Sequence, residues 1–120
     1  MGETQKLLVA ANSETFLRML RFYFTKAGYD VQTLSDGDEA LRFLTAEPSG
    51  VLITDEALPG MDGLQLVRQL RAGAVTAGLP VLVLVAGGGD ARVEVAILAG
   101  ALQAIPRVTP IPAIGDAAAS

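Results

Sequence analysis

Val51-Leu52-Ile53-Thr54-Asp55-Glu56-Ala57-Leu58-Pro59-Gly60-Met61-Asp62-Gly63 is the stretch on which the reading of the whole chain turns. Val51 to Thr54 have the character of a buried strand, Asp55 stands where that strand ends, and Pro59-Gly60 marks a turn before the next periodic segment. Open α/β sheets form their sites at the carboxyl ends of strands. Asp55 is therefore the first candidate functional residue.

Upstream, Leu7–Ala11 is a short apolar run that predicts a central first strand, with Asn12 or Ser13 able to cap the helix after it. Phe16, Met19, Leu20, Tyr23, Phe24 and Ala27 recur at helical spacing, which predicts a stripe buried on one side and stopped at Gly28. Tyr29–Leu34 alternates as a half-wet strand does. Ser35-x-x-Asp38 reads as a capping box before Ala40, Leu41 and Leu44, in a helix ending near Glu47.

Downstream, Asp62 is placed to cap a helix carrying Leu64, Leu66, Val67 and Leu70, and Arg68 and Arg71 read as its solvated face. Gly73–Pro80 reads as a loop and Val81–Ala86 as a strand covered on both faces. Gly87-Gly88-Gly89-Asp90 has no lysine after it and matches neither nucleotide-loop order, so it predicts a flexible connection with Asp90 capping a helix over Ala91–Ala99. Ala101–Val108 is expected as an edge strand, the one place where Pro106 is tolerable. After Thr109, Pro110, Pro112 and Gly115 oppose a helix, so 1–109 is expected as the domain and 110–120 as a tail or the start of a linker.

Strand and helix alternate through five predicted strands, which calls for a parallel α/β sheet with helices on both faces. The expected order is 2-1-3-4-5, with the last helix short or absent. The 120 residues suffice for one domain. A net charge of -4 supplies no broad basic field, so direct nucleic-acid binding is not expected. The chain has no cysteine and no histidine, which excludes disulfides, thiol chemistry, a histidine base and a histidine metal site. The polar start and the brevity of Leu7–Ala11 give no membrane span, and cytoplasm is the expected location.

Taken together, Lys6-Leu7-Leu8-Val9, Gly28-Tyr29-Asp30-Val31, Asp36-Gly37-Asp38-Glu39-Ala40-Leu41, Asp55 with Leu58-Pro59-Gly60-Met61-Asp62-Gly63, Leu79-Pro80-Val81 and Gly100-Ala101 resemble the receiver domain of bacterial two-component response regulators. The resemblance implies a flavodoxin-like fold, a phosphoacceptor at Asp55, and Mg2+ held by Asp55, by the backbone carbonyl of Ala57 and by an acidic pair. Here that pair is Ala11 and Asn12, which leaves one formal negative charge where the family has three and makes any Mg2+ site weak. The hydroxyl position is Val85, the lysine position is Arg107, and the switch aromatic is Ala104.

Each departure removes part of metal-dependent phosphotransfer while leaving the apolar pattern intact. The expectation is an atypical receiver that acts as a signalling and interaction module with weak or no phosphorylation. Its partners would be a histidine kinase or phosphotransfer protein, and an output domain or a second copy on the fourth helix and last strand. Two alternatives stand beside it: a working phosphoacceptor at Asp55, and a small-molecule sensor using the crevice near Asn12 and Asp55.

Overall fold

The structure, a computed structural model, describes residues 5–48, 50–86 and 89–119. Five parallel strands, β1 (Lys6–Ala10), β2 (Asp30–Leu34), β3 (Val51–Asp55), β4 (Val81–Val85) and β5 (Gln103–Pro106), lie in the order β2-β1-β3-β4-β5. Between and after them run α1 (Glu14–Lys26), α2 (Gly37–Ala46), α3 (Gly63–Ala72), α4 (Gly89–Ala99) and α5 (Ile111–Ala119). This is the expected doubly wound sheet.

Alternation along the strands divides the core into two layers. Leu7, Val9, Ile53, Leu82 and Leu84 face α1 and α5, where they meet Leu17, Leu20, Phe24 and Ile114. Leu8, Ala10, Leu52, Val81, Val83 and Val85 face the other way, onto α2, α3 and α4. All residues of β3 and β4 are buried, as their continuous apolar runs require.

Several local expectations shift in the structure. The buried stripe of α1 is Leu17, Leu20 and Phe24, while Met19 and Ala27 are exposed. Helix α2 is capped by Asp36, whose Oδ1 accepts from the Glu39 amide at 2.7 Å, and Ser35 plays no such part. The cause lies in Gly37: a Cβ there would stand 1.8 Å from the Met61 carbonyl oxygen, so the helix starts where a glycine permits that approach. Asp62 does cap α3, with Gln65 completing the box.

Arg71 is no solvated residue. Its Nε donates to the Gly100 carbonyl at 2.9 Å and its Nη1 to that of Ala77 at 3.2 Å, bracing the loops that precede β4 and β5. Asp90 lies inside the first turn of α4, which begins at Gly89, and Gly87 and Gly88 fall outside the described residues. Strand β5 is shorter than Ala101–Val108 because Pro106, which has no N–H, ends it against Val85.

The last helix is present and short. Pro110 accepts from the amides of Ala113 and Ile114, and Pro112 sits in the first turn, where a missing N–H forfeits no helical bond. Gly115 allows α5 to lie on α1, since a Cβ there would come within 2.9 Å of the Tyr23 ring.

Candidate functional site

Adjacency of β1, β3 and β4 brings three loops together at the carboxyl end of the sheet. Asp55 closes β3 opposite Leu84 and is 4% exposed. Arg107 follows β5, and its amide donates to the Val85 carbonyl at 2.9 Å, which fixes where its side chain starts. From there Nε reaches across β4 to Asp55 Oδ1 at 2.9 Å. The guanidinium also lies over the Phe16 ring, 4.3 Å from its centroid.

Asp55 thus has Arg107 as its hydrogen-bonded partner, and the nearby backbone N–H of Asn12 also favours its charged form. Burial pushes its carboxyl above the ordinary carboxylate range, and the Arg107 charge, the Arg107 hydrogen bond and the Asn12 amide offset only part of that. Thr54 is fully buried, and its hydroxyl donates to the Asp55 carbonyl at 3.0 Å. Gly63 packs against that same carbonyl: a Cβ at Gly63 would stand 2.1 Å from the Asp55 oxygen.

A cavity of about 290 Å³ opens over Asp55 and is lined by Asn12, Ser13, Asp55, Glu56, Ala57, Leu84, Ala86 and Arg107. Four of the residues singled out from the sequence, Asn12, Asp55, Ala57 and Arg107, therefore share one site. Three others do not line it. Val85 is buried in the layer beneath α2, α3 and α4, and Ala11 is buried in the layer beneath α1. Ala104 is half-buried against the first of these layers.

Glu56 and Phe16 take roles that pattern reading did not assign to them. Glu56 Oε1 accepts from the Ala86 amide at 3.2 Å, and its other oxygen pairs with Arg92 of α4. That pair ties the loop after β3 to the helix after β4. Arg92 carried a signal, since a cation early in a helix opposes the macrodipole and needs a reason to be there. Phe16, expected inside the helix stripe, is half-buried with the Arg107 guanidinium over it.

The chain matches the family model of the response regulator receiver domain over residues 7–116. It belongs to the receiver-domain family. It is 39% identical over 97 residues to a chemotaxis protein CheY homolog of Campylobacter jejuni, covering 79% of this chain and 75% of that one. It is 35% identical over 82 residues to the alkaline phosphatase synthesis transcriptional regulatory protein PhoP of Bacillus subtilis, covering 68% of this chain and 33% of the regulator. The match thus spans about a third of the transcriptional regulator. The structure of the chemotaxis response regulator CheY4 of Vibrio cholerae superposes with a TM-score of 0.89 at 23% identity, covering 96% of both chains, which shows the shared fold.

In a receiver with the family's acidic pair, Mg2+ would sit beside the residue that Asp55 matches. The donors present here do not fit it. A magnesium ion takes hard oxygen ligands in octahedral array, with carboxylates meeting its charge. Among the described residues no cluster of three or more Asp, Glu, His or Cys side chains could hold a metal. Asp55 already faces a guanidinium, Glu56 faces Arg92, and Asn12 brings only a neutral amide. Among the described residues, too, no helix is long and apolar enough to cross a membrane.

Proposed function

We propose that this receiver is a degenerate one, a signalling and protein-interaction module in which the Asp55–Arg107 pair occupies the place of the metal-dependent phosphoacceptor. The observation that carries the reading is the 2.9 Å contact between Arg107 Nε and Asp55 Oδ1, made with the guanidinium laid on Phe16. A receiver needs a mobile cation that arrives with the phosphoryl group, screens its oxygens and leaves the carboxylate free to attack. Here the cation is covalently part of the chain and already occupies the nucleophile. Val85 in place of a hydroxyl removes a donor to the phosphoryl oxygens, and Ala104 removes the switch aromatic, so loading would have little means of read-out.

On this reading the function lies in the surface. The partners we propose are a histidine kinase or phosphotransfer protein, and an output domain or second copy contacting α4 and β5. Support comes from Leu98 at 80% and Leu102 at 65% exposure on that side, apolar residues without an inward role.

The test is intact mass after incubation with acetyl phosphate, with and without Mg2+, beside an Asp55→Ala control. The expected result is a folded protein with no Asp55-dependent mass gain. A gain of one phosphoryl group requiring both Mg2+ and Asp55 would establish the competing reading, a working phosphoacceptor, which is favoured only by the cavity that leaves Asp55 within reach of a small donor.

A further inference from the structure

Two exposed apolar patches lie on helices that cover opposite faces of the sheet. On α1, Met19 is 51% and Phe22 67% exposed, and they border a shallow hollow of about 490 Å³ that reaches Ile111 at the start of α5. On α4 and the turn after it, Leu98 and Leu102 project with Ile97 beside them at 44% exposure. Neither patch can cover the other within one molecule, because α1 and α4 pack on different core layers.

Their charges are opposite. Helix α1 carries three cations, Arg18, Arg21 and Lys26, against the single carboxylate Glu14, although the whole chain is at -4. Lys26 Nζ stands 5.2 Å from the centre of the Phe22 ring, so the positive charge borders the apolar patch itself. On α4 the outward residues Asp90 and Glu94 are acidic, and the helix's one cation, Arg92, is held by Glu56. Pairing α1 with α1, or α4 with α4, sets like charges face to face.

We infer that the α1 face of one copy docks on the α4 face of the next, with Phe22 against Leu98 and the α1 cations against Asp90 and Glu94. The inference rests on the reading of α4 as a contact surface and specifies what covers it. Because the two patches differ and lie on opposite faces of the sheet, the contact is heterologous and adds copies head to tail. Its small apolar core and charged rim make it weak and salt-sensitive.

Sedimentation velocity over a concentration series tests this. The wild-type mass should rise with concentration past that of a dimer and fall back in high salt. Phe22→Asp and Leu98→Asp should each be monomeric, and both should keep the wild-type melting curve because the side chains are exposed. Mixed in equal amounts they should form a one-to-one heterodimer and stop there, since one variant retains an intact α4 face and the other an intact α1 face. A Phe22→Asp protein that still dimerises would show α4 pairing with itself and overturn the head-to-tail contact. A wild type that stays monomeric throughout would overturn it as well. Neither result bears on phosphoacceptance, which the mass measurement on the same samples decides separately.

Discussion

Replacing Arg107 with alanine, alone and together with Asp55→Asn, measures what the central pair contributes. Asp55 has 5% of its side chain exposed, so without the guanidinium its carboxylate keeps only the Asn12 amide. Stranding a buried charge in this way costs about 3–5 kcal/mol in a fully enclosed pair. Arg107 is 39% exposed, so solvent already screens it and a figure below that range, about 2 kcal/mol, is appropriate. Loss of the contact with Phe16 adds about 0.5–1 kcal/mol. Arg107→Ala should therefore cost about 3 kcal/mol at neutral pH, a fall in Tm of roughly 10–15 °C for a chain of this length. In the Asp55→Asn background no charge is stranded, and the same change should cost about 1 kcal/mol. The coupling of about 2 kcal/mol is read by thermal and urea unfolding of all four proteins. The pH dependence has a definite sign. Asp55 in the folded state already titrates above its ordinary value of 3.8, and losing Arg107 raises it further. A carboxyl raised on folding binds its proton more tightly in the folded state, so its cost to stability grows as pH rises above 3.8 and disappears below it. The Arg107→Ala penalty should consequently shrink as the pH is lowered toward 4. Equal costs in both backgrounds, unchanged with pH, would refute the claim that the pair holds this end of the sheet.

Three further changes probe the same framework. Asn12→Asp together with Arg107→Lys should create Mg2+-dependent thermal stabilisation beyond any in the wild type, because a second carboxylate then lines the cavity beside Asp55; calorimetric titration with MgCl2 reads it. Gly63→Ala would drive a methyl group into the Asp55 carbonyl at 2.1 Å, so it should cost more than about 2 kcal/mol and lower the urea midpoint sharply. Asp62→Ala removes one side of the α3 capping box, in which the Gln65 amide donates to Asp62 at 2.9 Å, and should cost about 1 kcal/mol by the same measurement.

Legibility in this chain follows the range over which each feature is decided. Strands buried on both faces announce themselves as unbroken apolar runs, which is why β3 and β4 could be placed within a residue of their ends. Helix α1 was harder, because Phe16, Leu17, Met19, Leu20, Phe22, Tyr23 and Phe24 put apolar groups nearly all round it. Only the sheet decides which of them turn inward, and its choice of Leu17, Leu20 and Phe24 leaves Met19 and Phe22 outside. The cap of α2 shows the same dependence on a distant contact. Ser35 and Asp36 are both competent, and the close approach of Gly37 to Met61 selects Asp36.

The site obeys the same logic one level up. Asp55 and Arg107 are 52 residues apart, yet strand order alone makes their meeting legible. With β3, β4 and β5 adjacent, the residue after β5 lies one strand away from the end of β3, a gap that a long side chain crosses and a short one does not. Glu56 and Arg92 are not joined by strand order: the place of Arg92 early in a helix asks for a partner, but only the convergence of two loops shows that it is Glu56. Both carboxylates at the end of β3 are thus met by arginines from β4's helix and from the segment after β5. On the proposed reading, an anionic crevice that would otherwise draw a cation from solution is instead neutralised from within, and little net charge is left for Mg2+ to balance.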